Sequence, residues 1–312
     1  GTYKCGMAGA GLSIASDPTA ATINPALAAR MGNEAIINLG WFHADVERDL
    51  SATTSGNVNR TGGKQKSDAS DFANGSLGVN YRIGDDKALN ISIYPGGGGA
   101  TNWDNSRTSP NTNYDRSINY KMINLQTALG YSPNETSSYG FGVVLSRSSM
   151  RTDSLDNQFG VEPEIDKTDI AYGVGFQVGG IWDAYPNVTL AADYHSRVWH
   201  ERFEKYPSVF NSTVDRPATF SVGADWDATP TTILAFDYKH VFEGPVNTIS
   251  QDPSTLGGFG WDDINIFMLG VQHEVVDGFQ VRAGYSYGNS PIDEQHVFAN
   301  ILYPAIVEQH YT

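Results

Sequence analysis

The chain has 312 residues, room for two soluble domains or for one large β architecture. Its 20 Lys and Arg against 35 Asp and Glu leave a formal charge of −15, which argues against a nucleic-acid partner, because phosphate binding needs clustered cations. A single cysteine, Cys5, excludes an internal disulfide framework and a Cys-rich metal centre, and no run approaches the ~20 apolar residues of a membrane-spanning helix.

Residues 1–33 stand apart. They are small and Ala-rich: Gly6-Met7-Ala8-Gly9-Ala10-Gly11, then Asp17-Pro18-Thr19-Ala20-Ala21, then Asn24-Pro25-Ala26-Leu27-Ala28-Ala29. Ser16 or Asp17 ahead of Pro18, and Asn24 ahead of Pro25, are capping residues followed by proline at the first helical position, and they predict two short helical turns. Turns of this length need something to pack against. The start, Gly1-Thr2-Tyr3-Lys4-Cys5, shows neither the basic nor the apolar region of a signal peptide, so the expectation is a mature, trimmed or cytosolic chain.

From Glu34 onward the hydrophobic period is two. Ala218, Phe220, Val222, Ala224 and Trp226 alternate with Thr219, Ser221, Gly223, Asp225 and Asp227, and the same pattern recurs from Phe279 to Tyr287. Eleven strands are predicted, beginning near residues 35, 75, 88, 119, 138, 169, 187, 217, 231, 262 and 278. The links between them alternate. Long polar links are expected over 52–72, 95–117, 152–168, 203–216, 244–261 and 289–308, and tight ones at Gly84–Lys87, Ser132–Glu135, Ala184–Asn187, Ala228–Pro230 and Val276–Gly278. Regular segregation of loop length suits a bacterial outer-membrane barrel, with short turns on one side and long loops on the other. Aromatics follow the same order. Tyr81, Tyr131, Tyr139, Trp182, Tyr185, Trp226 and Phe279 lie by the short turns, and Trp41, Tyr94, Tyr194, Trp199, Tyr238 and Tyr287 toward the long loops, as two interfacial girdles would require. The opposite face is small, polar and Gly-rich, suited to a lumen that holds something besides its own side chains.

The segment from Gly6-Met7-Ala8-Gly9-Ala10-Gly11 to Asn24-Pro25-Ala26, together with Phe259-Gly260-Trp261-Asp262-Asp263, Arg282–Gly288 and Asn300–Glu308, resembles the FadL-type outer-membrane transporters (OMPP1/FadL/TodX) of long-chain fatty acids and hydrocarbons. The resemblance implies an all-β transmembrane antiparallel barrel of 14 strands, about 11 of them present here, with residues 34–312 forming the barrel and residues 1–33 a small helical hatch containing Asn24, Pro25 and Ala26. On that count the sequence looks truncated at its C-terminus, and a few residues short at its N-terminus. It also implies that a kink in the third strand opens the wall. Tyr94-Pro95-Gly96-Gly97-Gly98-Gly99 is where that would fall, since proline lacks a ladder donor and glycines have no side chains to pack. A plain glycine-rich strand end leading into a loop is the other reading of Pro95–Gly99.

Apolar residues in the long links, Trp199, Phe203, Tyr206, Val209 and Phe210 in one and Phe298, Ile301 and Leu302 in another, make either a substrate-capturing groove or two loops packing on each other. Gly284-Tyr285-Ser286-Tyr287-Gly288 matches the serine-hydrolase pattern but lies in a period-two run with no helix after it, so it reads as strand. Gly9-Ala10-Gly11 is a fragment of a nucleotide-binding pattern with no strand before it. The seven histidines show no metal spacing, and His195 and His200 read as loop or lumen polar groups. No enzyme, cofactor or metal is expected. The expected function is passive outer-membrane passage of a fatty acid, alkane or monoaromatic by a monomer in contact with lipid. A general porin, a lipid hydrolase and a structural barrel are the rivals.

Overall fold

The computed structural model describes residues 2–49, 64–109, 112–152, 167–205, 213–246, 250, 260–291 and 309–312. The strands are β1 (Glu34–His43), β2 (Glu47–Asp49), β3 (Lys64–Lys66), β4 (Asp71–Ile83), β5 (Lys87–Ser109), β6 (Thr112–Asn134), β7 (Ser137–Thr152), β8 (Asp169–Tyr185), β9 (Val188–His195), β10 (Trp199–His200), β11 (Ala218–Thr229), β12 (Thr232–Phe242), β13 (Ile264–Val276), β14 (Phe279–Gly288) and β15 (Gln309–Tyr311). All eleven predicted strands are among them. The main sheet has 13 strands in the order β1-β4-β5-β6-β7-β8-β9-β11-β12-β13-β14-β15, with β10 on β8, and β2 pairs with β3 separately. Every pairing is antiparallel. Among the described residues β1 and β15 do not pair with each other.

The tight links fall where loop length placed them. The link predicted over 95–117 is instead mostly strand: β5 and β6 run on as a long hairpin past the glycines, their register slipping between Pro95 and Gly97 and again beyond Trp103. β3 occupies part of the link predicted over 52–72, and β10 lies just ahead of the one predicted over 203–216. Short pairings of this kind leave no hydrophobic period to read.

The sheet is inverted relative to a soluble one. Leu125 lies opposite Leu145 and Leu145 opposite Val174, all outward, and Leu145 is 54% exposed. Asn90, Gln126 and Gln177 face inward and are fully buried. Aromatics cap the outward band: Trp182 packs edge-on to Tyr139 and donates from its indole Nε1 to the Tyr139 hydroxyl at 3.2 Å beside the short turns. Tyr238 packs on Phe267 toward the other end. Tyr94 does not belong to this girdle. Its neighbours Ile91 and Ile93 point outward, so by parity Tyr94 points in, and its hydroxyl donates to Gln126 Oε1 at 3.2 Å.

What fills the interior is the chain's own beginning. Residues 2–31 touch strands around the whole sheet: a helix α1 (Thr2–Cys5) is followed by two 3-10 turns, Pro18–Thr22 and Pro25–Arg30. Both predicted caps are present, Asp17 accepting from Thr19 N at 2.8 Å and Asn24 from Ala26 N at 3.1 Å. The inward glycines are berths for this segment. A Cβ at Gly140 on β7 would fall within the Pro25–Ala26 peptide, and one at Gly284 on β14 within the Met7–Ala8 peptide. On β6, a Cβ at Gly130 would come to 2.5 Å from Ala29 N.

Candidate functional site

Short 3-10 turns leave carbonyl oxygens without partners, and burial makes each one costly unless it is satisfied. Amide side chains on the inward face supply the missing donors. Asn24 Nδ2 donates to Gly180 O at 3.4 Å and Ala192 O at 3.3 Å. From the wall, Gln126 donates to Ala21 O at 2.8 Å, Gln177 to Ile23 O at 2.9 Å and Asn90 to Pro18 O at 2.9 Å. Asn80 donates to Ala28 O, Met31 O and Gly32 O at 3.1, 3.3 and 2.9 Å. Arg30 ties the end of the segment to Asp183 at 2.8 Å and to Ser138 Oγ at 2.8 Å. Of these groups, sequence reasoning named only Asn24. The signal for the others was available as inward-parity Asn and Gln.

The first half of the segment is held differently, through charge. Lys4 pairs with Asp237 at 3.9 Å, Ser13 donates to Asp225, and the Arg282 guanidinium lies 4.2 Å from the centre of the Tyr3 ring. A cavity of about 190 Å³ separates this half from the wall at β5, β9, β11 and β12.

The wall itself is interrupted. β4 pairs with β5 from Ile83 and Lys87 up to Leu77 and Ile93, and there that ladder ends. The rest of β4, Asp71–Ser76, pairs with β1, and β5 from Tyr94 onward pairs with β6. The two sides meet again where Asp68 N donates to Asn102 O at 2.9 Å and Asn102 N to Ser67 Oγ at 3.0 Å. Pro95, Gly96, Gly97, Gly98 and Gly99 lie in the gap between these contacts. The cause is local: Pro95 offers no N–H, and Gly98 sits at φ +141°, where L side chains are strained. The glycines therefore neither end the strand nor start a loop. They bulge it.

Of the residues predicted to form an apolar groove, only Trp199 and Phe203 fall among the described residues, and they differ in exposure. Trp199 is on β10, opposite Val174, with its ring 6.4 Å from Phe176 on the outward face, whereas Phe203 is buried. Tyr206, Val209, Phe210, Phe298, Ile301 and Leu302 lie outside the described residues. His195 and His200 both point inward, to Gln177 Nε2 at 2.8 Å and Ser146 Oγ at 3.0 Å. Ser286 sits within β14 opposite Met268, as a strand residue. Among the described residues no group of His, Cys, Asp and Glu is placed to hold a metal.

Just past β12, burial and the neighbouring Asp263 carboxylate push the Glu243 carboxyl up to about 7. A carboxyl that holds its proton more tightly when folded stabilises at low pH, and that stability is lost as pH climbs from about 4.5 through 7. Glu243→Gln is therefore expected to match the parent protein at pH 5 and to exceed it at pH 8 by about 2–3 kcal/mol. Thermal unfolding at the two pH values checks this, and an equal gain at both would refute it.

The family model for outer membrane transport proteins (OMPP1/FadL/TodX) matches residues 2–231. Among solved structures the chain is similar to the toluene transporter TodX of Pseudomonas putida (TM-score 0.73, 15% identity, covering 99% of this chain and 86% of that one). It is also similar to the toluene transporter TbuX of Ralstonia pickettii (TM-score 0.69, 17% identity, 93% and 86% covered). A FadL homologue of Pseudomonas aeruginosa aligns with TM-score 0.65 at 17% identity, with 94% and 80% covered. At these identities the structural matches establish the fold. No curated protein matches the sequence.

Proposed function

The chain belongs to the outer membrane transport protein family (OMPP1/FadL/TodX), and from that membership we propose that it lets small hydrophobic molecules cross the outer membrane passively, leaving through the wall between β4 and β5. It is a transport-family protein of the outer membrane, not an enzyme. The observation that carries the route is the interrupted β4–β5 ladder beside an interior filled by residues 2–31.

The physics favours a sideways exit. Sending an apolar solute through water forfeits about 0.8 kcal/mol for each CH₂ exposed, whereas a gap in the wall passes it from lumen to lipid without that step. Residues 1–33 act in this reading as a hatch that blocks straight passage, and the solute's own gradient drives movement. Apolar residues of the long links capture the solute, and the protein works as a monomer. A general porin needs an open lumen, and the filled interior argues against it.

Uptake of toluene and of oleate by outer-membrane vesicles, with and without the protein, tests the reading. Uptake no faster than in protein-free vesicles would refute it. The exit has its own test. A Cβ at Gly97 meets nothing within 4 Å, whereas one at Gly98 would come to 2.5 Å from Tyr120 O. Gly97→Leu therefore places bulk in the gap without colliding with the wall, and Gly97→Ala, which carries the same backbone strain at φ +155°, is its control. Relative to Gly97→Ala it is expected to cut toluene uptake at least fivefold at equal surface expression, and equal uptake by the two variants would remove the exit.

A further inference from the structure

The charge that borders the outward apolar band is uneven. β6 turns Tyr131 outward at its short-turn end and Lys121 outward farther along, and β7 does the same with Tyr139 and Arg147. Lys121 lies ten positions from Tyr131 and Arg147 eight from Tyr139, which at ~3.4 Å per residue and a tilt of ~40° puts them about 26 and 21 Å up an apolar band of ~25 Å. Both cations therefore stand at the edge of the band away from the short turns, level with the headgroups of the outer leaflet.

Register brings them together. Lys121 pairs with Ser149, two residues from Arg147, so the two long side chains are diagonal neighbours able to reach one point. On its other side Arg147 lies opposite Tyr172 of β8. The Tyr172 N–H donates to the Glu201 carboxylate at 3.4 Å and its C=O accepts from Glu201 N at 2.9 Å, so both point away from β7. Arg147 and Tyr172 are thus a non-hydrogen-bonded pair, the kind whose side chains lie closer. Among the described residues no carboxylate comes within 4 Å of Lys121 or Arg147, although the chain carries a net charge of −15. By contrast Lys87, outward at the short-turn edge, has the Asp86 carboxylate at 3.5 Å. A cation facing lipid is costly without a partner, so an anion at this level stabilises the pair.

We propose that Lys121, Arg147 and Tyr172 hold the headgroup of an outer-leaflet lipid that carries a phosphate monoester, with its acyl chains on the wall below. The arginine fork matches two phosphate oxygens, lysine adds a compact charge, and the Tyr172 hydroxyl is a further donor. Ile123 and Leu145, 51% and 54% exposed, lie directly beneath and give the chains a surface continuous with the headgroup site. A phosphate monoester carries about two negative charges at neutral pH, which two cations balance. A zwitterionic headgroup brings an ammonium that they repel. The site is on the outer wall, apart from the interior segment and from the β4–β5 gap, so it stands whether or not a solute passes.

Native mass spectrometry of the full chain, released from detergent micelles at neutral pH, tests this with dioleoyl phosphatidic acid and dioleoyl phosphatidylcholine. At low ionic strength phosphatidic acid is expected to bind at least fivefold more tightly than phosphatidylcholine. The combined Lys121→Gln and Arg147→Gln variant is expected to lose that preference to within twofold, while Lys87→Gln keeps it. Equal binding of the two lipids by the parent protein, or a preference that survives the double substitution, would overturn the proposal. So would a matching loss in Lys87→Gln, which would make the preference a general effect of charge. Glycerol 3-phosphate supplies the headgroup without chains, and binding as tight as that of phosphatidic acid would assign the site to a free phosphate and remove the lipid. Should the double variant fail to refold, salt decides on the parent protein alone. At about 0.5 M salt, where exposed charges are screened beyond a few ångströms, the preference is expected to fall at least threefold, and an unchanged preference would refute the site.

Discussion

Replacing Gly140 with valine should unseat Asn24, Pro25 and Ala26 from the wall and raise ion leak through the protein at least tenfold. The added Cβ would occupy the space of the Pro25–Ala26 peptide, so either β7 or the inner segment must move. β7 is hydrogen-bonded along most of its length to β6 on one side and to β8 on the other. The inner segment around this turn is held by scattered side-chain bonds, from Asn80 and Arg30 at the turn itself and from Gln126 and Gln177 to Ala21 and Ile23 just before it, each with a net worth of about 1 kcal/mol. The turn yields first. Overpacking of this kind costs about 1–3 kcal/mol, comparable to losing two such bonds. Conductance in planar bilayers and protease cleavage within residues 1–33 both report the displacement. Parental values of both would mean that this segment does not obstruct the lumen.

Leu145→Arg should cost about 2–4 kcal/mol of stability in lipid, the penalty for a cation near the bilayer midplane. Leu145 is outward and central in its strand, flanked across the sheet by Leu125 and Val174. On a soluble sheet the same exposed position would tolerate arginine within about 0.5 kcal/mol. Urea titration of the protein refolded into phosphatidylcholine vesicles distinguishes the two cases. An unshifted midpoint would mean that the apolar face does not meet lipid, and the outer-membrane reading of the sheet would lose its physical basis.

These two experiments probe features of different legibility. The outward band was readable because strand side chains alternate with a period of two, so Leu125, Leu129, Val143 and Leu145 declare their face within a few residues. The same rule places Tyr94 inward, one position out of phase with Ile91 and Ile93, and grouping it with the aromatic girdle put loop proximity ahead of parity. Trp199 was grouped with Phe203 because both fall in a polar link. The short pairing of β10 with β8 turns Trp199 outward, and a two-residue strand has no period to betray it.

The sequence by itself determined eleven of the strands, the tight turns between them, the inverted polarity of the sheet and the two capped turns headed by Asp17 and Asn24. All of these are local: they depend on period, on turn residues and on contacts two or three positions apart. Only the tertiary structure decided which glycines are berths, where the β4–β5 ladder parts, and that Lys4, Arg216 and Lys239 line one cavity with Asp193 and Asp237. Those outcomes join residues far apart in the chain, such as Asn24 and Gly180 or Lys4 and Asp237. Which inward position meets which turn is set by sheet register and by how the first residues pack inside the sheet, and neither leaves a mark on any short stretch of sequence.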